Sequence, residues 1–520
     1  MTRRQIMLVF CGTVLGMMLA ALDQTIVATA LPAIVADLHG FEHLSWVVTA
    51  YLLASTITVP LYGKVSDLFG RKSVFIFAIV LFLIGSALSG LSRTMTQLIV
   101  FRGIQGLGAG GVIPLAQAII GEIFSPRERF RYQGYTGALF AASSIIGPLL
   151  GGYLTDVVSW RAAFYINLPL GALALLVIVT TMKIPFERRE RPIDVLGAVL
   201  LSGWVSLCLL VTVWSGSATP ADTPKLIIAA AAAVLLLAAF VAVELRVPEP
   251  ILSLRLFRNS IFTVAISAAL VIGACRLTVT IYMPVFMQGV IGTSATNSGV
   301  MLIPFMLAWI ASGIAAGQTV TRTGRYRIWP ISGSITTLVG FAVLSGLSVH
   351  SSREYAIVCM VLIGSGMGQM FQTYVVAMQN SVPRSSLGIA TASIQFSRTI
   401  GSMFGAAIFG AILTRRLASE LTSRLGEAAQ QVSPGALLSG TMRVADVPPQ
   451  TAEAVRDSLA SALHTAFLGG LPLMGVGLVA ALLLKELPLR TKSHVEEADE
   501  RRAAPSHGAA SQEKSGSAPG

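Results

Sequence analysis

The sequence predicts an all-α polytopic membrane protein with fourteen transmembrane helices, and three observations support this fold class. Hydrophobic residues make up 54% of the 520 residues and charged residues only 12%, whereas about 25% of a soluble domain is charged. Apolar runs of about 20 residues, the length that crosses a bilayer, recur along the chain. The basic residues lie between these runs, so the net charge of +12 indicates membrane topology and not a nucleic-acid partner.

The apolar runs follow one another from the N-terminus to position 484. The first run, within "MTRRQIMLVFCGTVLGMMLAALD", is too long for a secretory signal and is interpreted as a retained span. The predicted spans lie near 6–35, 44–62, 74–91, 95–120, 132–156, 161–182, 194–216, 226–245, 260–288, 295–317, 328–348, 355–380, 387–413 and 464–484. Four cysteines lie inside these runs and are expected to be buried thiols without metal or disulfide roles.

Basic residues are unevenly divided between the two sides of these spans. Of 37 Lys and Arg residues, 25 lie in segments on the side of the termini, 9 on the opposite side and 3 inside spans. Since cytoplasmic loops carry the excess of basic residues, both termini are predicted to be cytoplasmic in a multi-pass protein of the cell (plasma) membrane. Residues 491–520 are predicted to form a disordered cytoplasmic tail, and the periplasmic loop 414–463 to form two small surface helices.

An internal repeat divides the chain. "GKVSDLFGRKS" (63–73) and "GQTVTRTGRYR" (317–327) match at an offset of 254 residues, and Gly147 and Gly151 match Gly401 and Gly405 at the same offset. Matched segments on one side of the membrane predict two parallel six-helix repeats, an arrangement found in transporters. The predicted domains are an N-terminal six-helix bundle (1–182), an inserted helix pair with linkers (183–259) and a C-terminal six-helix bundle (260–490).

Five short stretches occur in a fixed order: "LDQTIVATALP" (22–32), "GKVSDLFGRK" (63–72), "RGIQGLGAG" (102–110), "SSIIGPLLGG" (143–152) and "WRAAFYINLP" (160–169). Together they resemble the motifs of the major facilitator superfamily, specifically its fourteen-span drug:proton antiporter branch, the EmrB/QacA-like multidrug exporters. The resemblance implies the major facilitator fold and proton-coupled export of amphiphilic small molecules by alternating access. The alternative is a proton-coupled exporter or symporter of a specific metabolite, natural product or lipid.

Asp23 is the acid that the sequence places most clearly inside the membrane. Helical rise puts it roughly 18 Å from the outer end of its span, and Arg102 roughly 10 Å from the outer end of the fourth. A long arginine side chain can bridge that difference in depth, so the two residues are predicted to pair. An acid whose pKa changes when such a pair breaks can carry a proton; the alternative is a static ion pair that fixes packing.

The turn between the second and third spans carries Gly63, Asp67, Gly70 and Arg71. The glycines permit a tight turn and close helix approach. The family resemblance implies that Asp67 and Arg71 make charged contacts that latch a cytoplasmic gate. The repeat places Thr321 where Asp67 stands, so only the first copy keeps its acid. The alternative is a basic turn that serves topology alone.

In the fifth span Ser143, Gly147 and Gly151 recur every four residues beside Pro148 and Gly152. Small residues at this spacing allow close helix packing, and proline allows a bend. The stripe is expected to be a sliding surface between the two halves, and the resemblance implies that it marks antiporters. The alternative is pure packing, which is compatible with that role.

The second half offers a predicted substrate cavity. Arg276 stands within one position of the repeat counterpart of Asp23, so it is expected to face the cavity. It would pair with Asp23 in one state, contact an anionic group of the substrate, or serve packing. Arg398 is expected to be structural. The residues predicted to line an adaptable pocket with Arg276 are Tyr282, Met306, Trp309, Phe371 and Tyr374.

Other classes of protein fit the sequence less well. The spans carry no Ser/His/Asp set, no HExxH, no P-loop and no metal cluster, so an enzyme is not expected and no cofactor or metal is implied. Duplicated halves disfavour a channel. The expected partners are protons, the lipid bilayer and a small amphiphilic substrate. A monomer is expected, with a membrane-fusion partner as an open alternative.

Overall fold

The computed structural model is all-helical and confirms the predicted number of spans: within the described residues, fourteen helices are long and apolar enough to cross a membrane. It describes residues 2–38, 44–182, 194–215, 223–293, 300–426, 429, 432–439 and 447–489. The tail 491–520, predicted to be disordered, and part of the predicted linker, 183–193, lie outside the described residues.

Six spans come from the first half of the chain, and the sixth is divided near Ile166. Their bounds are α1 Arg3–Leu38, α2 Leu44–Phe69, α3 Arg71–Leu91, α4 Met95–Ile123, α5 Pro126–Val157, α6 Ala162–Tyr165 and α7 Asn167–Thr181. Thr94 and Ser125 accept hydrogen bonds from backbone N–H groups in the first turns of α4 and α5, which is how N-cap residues begin helices. Gly70, at φ +90°, makes the turn from α2 to α3 in a backbone region that a side chain would strain.

The inserted pair, α8 and α9, and then the helices of the second half follow. Their bounds are α8 Val195–Ser215, α9 Thr223–Glu244, α10 Ser260–Gly289, α11 Ile303–Thr323, α12 Ile328–Ser345, α13 Arg353–Ser381, α14 Leu387–Leu425, α15 Pro434–Ser439, α16 Pro449–Leu468 and α17 Gly470–Leu483. The helices α16 and α17 form one span, and α15 is a single short turn of helix outside the spans.

Equivalent helices pack in the same way in both halves. In the first half α2 and α3 pack on α4 and α1 packs on α5; in the second, α11 and α12 pack on α13 and α10 packs on α14. The repeated glycines occupy matching contacts, because a Cβ at Gly151 would overlap α1 and a Cβ at Gly405 would press on α10. This packing agrees with the predicted duplication.

The halves meet along two matched helix pairs, α2 with α14 and α5 with α11. A methyl group at Gly63 would press on Ala392, and one at the repeat position Gly317 would overlap the carbonyl oxygen of Phe130. Both contacts lie towards the end of the bundle where α1 begins and α2 ends, which we name the inner end. The opposite end is the outer end.

The inserted pair α8 and α9 packs beside the contact of α2 with α14. Leu201 of α8 and Phe240 of α9 share an apolar cluster with Val59 of α2 and Ile400 of α14. The pair therefore covers one side of the contact between the halves. The division into domains after residues 182 and 259 stays a prediction.

The prediction of two small surface helices in 414–463 was wrong. The helix α14 runs without a break to Leu425, and α16 begins at Pro449 and leads into the last span. Leu413, Leu417 and Leu421 recur every four residues and are buried in the same apolar cluster as α16. An apolar stripe at helical spacing thus extends both spans into a packed pair at the outer end. Residues 427–428, 430–431 and 440–446 lie outside the described residues.

Large apolar side chains cover the sides of the bundle. Leu91, Leu235 and Val476 are each more than half exposed, a surface that suits lipid and not water. Cys11 is exposed on α1 and Cys208 is partly exposed on α8, so the expectation that all four cysteines are buried was wrong for these two. An apolar run predicts a span, but it does not say which face of the helix meets other helices.

Candidate functional site

Asp23 lies at the centre of a buried polar network in the first half. Its side chain is fully buried, and Arg102 Nη1 lies 2.8 Å from Asp23 Oδ2, the pairing that the two depths predicted. Gln105 Nε2 and Asn167 Nδ2 donate to Asp23 Oδ1 at 2.8 Å and 3.0 Å. One arginine and two amide donors therefore satisfy a carboxylate that would be costly to bury alone.

Neighbouring helices hold the donors in place. Arg102 Nη1 also donates to Gln105 Oε1 at 2.8 Å, and its guanidinium carbon lies 4.1 Å from the centre of the Tyr51 ring. Asn167 Nδ2 donates to Ser86 Oγ at 3.0 Å. The network joins α1, α4 and α7 directly, with α2 and α3 behind it, so a change of charge at Asp23 acts on five helices at once.

Gln105, Asn167 and Tyr51 were missed by sequence reasoning. A signal for two of them was available. Gln105 follows Arg102 by one helical turn within "RGIQG", and Asn167 is the polar residue of "YINLP". No comparable pattern singles out Tyr51, because its role depends on how α2 is turned towards α4.

At the inner end, Asp67 of α2 caps a helix of the other half. Its Oδ1 accepts from the backbone N–H of Gly388 at 3.0 Å, and its Oδ2 from that of Ile389 at 2.9 Å. These are first-turn amides of α14, which have no partner within their own helix. A carboxylate at this position also interacts favourably with the helix dipole. The contact exists only while the halves are together at this end.

Arg71 extends the same contact. Its Nη2 lies 3.2 Å from Asp67 Oδ1 and its Nη1 lies 3.0 Å from Glu122 Oε2. Glu122 in turn forms an ion pair with Arg384 of the second half, and Arg71 Nη2 donates to the Arg384 carbonyl oxygen at 3.3 Å. Glu122 and Arg384 were not predicted, because charges at span ends are usually explained by topology.

The repeat counterpart of this contact uses no acid from α11. Thr321, at the position equivalent to Asp67, donates from Oγ1 to the Arg127 carbonyl oxygen at 3.0 Å. Arg127 Nε donates back to the Thr321 carbonyl oxygen at 2.6 Å. The inner end is therefore closed on both sides of the pseudo-symmetric contact.

Nearby, burial raises the pKa of Tyr326, which favours its protonated form. The Tyr326 hydroxyl donates to the Lys485 carbonyl oxygen at 2.8 Å.

The stripe of small residues in α5 lies elsewhere than expected. A Cβ at Gly147 would overlap Thr25 Oγ1, and one at Gly151 would overlap Thr29 Oγ1; both threonines belong to α1 of the same half. Thr25 Oγ1 also donates to the Ser143 carbonyl oxygen at 3.1 Å. The interpretation of the stripe as a sliding surface between halves was wrong, because α5 meets α11 through a different face.

Of the other two members of the predicted motif, Pro148 is exposed, and a Cβ at Gly152 would meet nothing within 4 Å. The contact of the stripe with the helix that carries Asp23 therefore runs through Ser143, Gly147 and Gly151.

The residues predicted to line a pocket all belong to the apolar core of the second half. Phe371, Tyr282 and Tyr374 are buried in it, and Met306 and Trp309 pack against it while partly exposed. Trp309 and Phe371 form an aromatic pair with ring centres 6.5 Å apart, and the Tyr282 hydroxyl approaches the Ala406 carbonyl oxygen at 3.5 Å. A binding role for these side chains stays a prediction.

Arg276 does not pair with Asp23 in this conformation, since among the described residues Arg276 forms no ion pair and its Nε has no hydrogen-bond partner. The oxygens of Asp23 are instead occupied by the first-half network. Arg398 lies with its guanidinium carbon 4.7 Å from the centre of the Phe371 ring, beside the aromatic pair.

Two matched six-helix halves that close at one end, with a buried charged network inside, are the architecture of a membrane transporter. The sequence profile of the Major Facilitator Superfamily matches residues 13–406. The chain belongs to this superfamily, and it is a transporter and not an enzyme.

Relatives and a solved structure agree with this assignment. The chain is 35% identical to "Multidrug transporter protein MdtP" of Bacillus subtilis, covering 96% of this chain and 98% of the relative. It is 34% identical to "Multidrug resistance protein 3" of the same organism, covering 94% and 96%. The structure of the proton:xylose symporter XylE matches with a TM-score of 0.61 at 14% identity, over 96% of this chain and 100% of that one, which shows the shared fold.

Proposed function

We propose that this protein is a proton-coupled antiporter that exports amphiphilic small molecules by alternating access, with both termini on the cytoplasmic side of the cell membrane. The observation that carries the proposal is the fully buried Asp23, paired with Arg102 between helices of one half. The names of two relatives, a multidrug transporter and a multidrug resistance protein, favour export over import.

Asp23 is suited to couple a proton to a change of shape. Deprotonated, it holds Arg102, Gln105 and Asn167 around one carboxylate. A proton removes the negative charge, so the carboxyl group loses its attraction for Arg102 and leaves that arginine unpaired in an apolar setting. The ion pair that joins α1 to α4 is then lost, while the amides of Gln105 and Asn167 can still donate to the neutral carboxyl group. Protonation of Asp23 thus favours a rearranged first half.

The inner-end contacts supply the other requirement of alternating access, which is an end that can open. The Asp67 cap on α14 and the pairs of Arg71 and Arg384 with Glu122 cross from one half to the other. All of them break if the halves separate at this end. In the proposed cycle Asp23 takes a proton from the outside, the inner end opens, and the proton leaves to the cytoplasm as substrate binds.

Transport by purified protein in proteoliposomes tests the proposal. The probes are a neutral dye, N-phenylnaphthylamine, and an anionic one, anilinonaphthalene sulfonate. Under an imposed pH gradient, antiport moves a probe towards the acidic side and symport moves it towards the alkaline side. The alternative is a proton-coupled exporter or symporter of a specific metabolite, natural product or lipid, and the direction separates the proposal from the symporter.

Two variants isolate the role of Asp23. Asp23→Asn is expected to lose transport driven by the pH gradient while still exchanging probe between the two sides of the membrane. Asp156→Asn, which removes an exposed acid at the outer end of α5, is the matched control and is expected to transport normally. An Asp23→Asn protein that still concentrates probe against its gradient overturns the proposal.

A further inference from the structure

Arg276 of α10 and Arg398 of α14 lie side by side inside the second half. The helices cross in close contact at this level, since a Cβ at Gly273 would overlap the Arg398 carbonyl oxygen and Ser402 Oγ donates to the Gly273 carbonyl oxygen at 3.1 Å. Gly273 stands one turn before Arg276. Arg276 therefore stands about one helical turn from the point where α10 meets the backbone of Arg398. We name Arg276 and Arg398 the arginine pair.

The charges of the arginine pair are not balanced by the protein. Over the described part of the chain, neither guanidinium forms an ion pair or donates a hydrogen bond, and Arg276 Nε is enclosed without any partner. Arg102, which is buried in the first half, is by contrast matched by Asp23. Two adjacent cations in an apolar interior repel each other and are costly to bury unless an anion joins them.

Aromatic rings adjoin the arginine pair. Both arginines lie well inside the bundle, yet each keeps part of its side chain accessible. Arg398 lies over the ring of Phe371, Phe371 neighbours Trp309, and Trp309 meets Phe305 with ring centres 5.7 Å apart. A charged group held by the arginines would therefore have aromatic rings beside it.

We propose that the arginine pair binds the carboxylate or sulfonate group of the transported molecule, whose aromatic part packs on Trp309 and Phe371. This inference rests on the proposed function, because it names the chemical class of its substrate: aromatic organic anions. The planar forks of two arginines match the oxygens of such a group. An inorganic anion shares that chemistry but gains nothing from the aromatic rings.

Binding to the full-length protein in lipid nanodiscs tests the inference, with empty nanodiscs as the blank. The probes are anilinonaphthalene sulfonate and N-phenylnaphthylamine, which share an aromatic framework and differ in the sulfonate. We expect the wild-type protein to bind the sulfonate at least tenfold more tightly than the neutral probe. Arg276→Gln and Arg398→Gln should each weaken sulfonate binding tenfold or more and change binding of the neutral probe less than twofold.

Three controls keep the result specific. Arg353→Gln removes an exposed arginine at the start of α13 and should leave both affinities unchanged. Arg276→Lys keeps the charge without the fork and should bind the sulfonate with intermediate affinity, so it reports on the site if Arg276→Gln fails to fold. Replacing gluconate by chloride in the buffer separates an organic from an inorganic ligand.

Three outcomes overturn the inference. They are equal affinity of the wild-type protein for the two probes, an equal loss of both in Arg276→Gln, and displacement of the sulfonate by chloride at physiological concentration. Binding needs no pH gradient, so the sulfonate can bind to the arginine pair even if Asp23 does not couple protons. Conversely, gradient-driven transport of the sulfonate that continues at the wild-type rate in Arg276→Gln leaves the proposed function standing and refutes the anion site.

Discussion

Replacing Asp67 should open the inner end of the bundle. Asp67 accepts two backbone N–H groups of α14, from Gly388 and Ile389, and pairs with Arg71 in its own half. Only the two bonds to α14 depend on closure. Hydrogen bonds to charged groups contribute about 1.5–3 kcal/mol each and caps about 0.5–2 kcal/mol. We take about 2 kcal/mol as the loss of closure energy in Asp67→Ala.

That loss converts into a measurable population. At about 1.4 kcal/mol per factor of ten, 2 kcal/mol shifts the equilibrium about 30-fold towards the open inner end. If about one wild-type molecule in a hundred is open, about one in four should be open in Asp67→Ala. In Asp67→Asn an amide oxygen can still cap α14, so the loss is about 1 kcal/mol and the shift about fivefold.

Pulsed electron–electron resonance can report this shift as a distance. Spin labels at Ser73 and Arg325, two exposed positions at the inner end in different halves, are placed in a background without native cysteines. Asp67→Ala should add a longer-distance population, Asp67→Asn a smaller one, and the control Asp156→Asn none. An unchanged distance distribution in Asp67→Ala, or an equal change in Asp156→Asn, would refute the reasoning that the cap holds the inner end closed.

Three further predictions concern stability, followed as thermal unfolding of the purified protein. Gly147→Ala forces a methyl group into α1 and should cost about 1–3 kcal/mol, whereas Gly152→Ala points into open space and should stay within about 0.5 kcal/mol of wild type; equal effects of the two would contradict the packing described. Arg102→Gln leaves Asp23 buried without its cation and should cost about 3–5 kcal/mol of stability. Adding Asp23→Asn to this variant should restore part of that stability. Strictly additive effects of the two substitutions would argue against a coupled pair. Leu417→Ala removes a fully buried side chain from the packed pair of α14 and α16 at the outer end and should cost about 2–5 kcal/mol of stability. Proteolysis between α14 and α16 should also become faster. An unchanged cleavage rate would mean that α14 and α16 are not a packed pair there.

The sequence was informative about the first-half site because its clues are local. An acid in an apolar run stands out wherever the helix lies, and helical rise alone places Arg102 at a compatible depth. Helical rise does not identify Gln105 or Asn167 as partners of Asp23, although both lie in the motifs that carry the family resemblance. Their role depends on the rotation of α4 and α7 about their axes, which span length does not determine.

At the inner end, too, a local feature could be predicted from the sequence and a long-range contact could not. The short turn at Gly70 follows from its glycine and the charged residues around it. That Asp67 caps α14, more than three hundred residues later in the chain, follows from the approach of two halves. The stripe at Gly147 and Gly151 shows the opposite error: its spacing predicted close packing correctly, but the partner was α1 of the same half and not the other half.

By itself, the sequence determined the class of protein, the number of spans, the duplication and the acid that needs a partner. These depend on the thickness of the bilayer, on the period of the helix and on the cost of a buried charge, all of which act along one segment at a time. Only the tertiary structure decided which side chains face one another: the amide donors on Asp23, the cap on α14 and the unbalanced arginine pair. Such contacts depend on how helices distant in sequence are rotated and crossed, and no local pattern records that geometry.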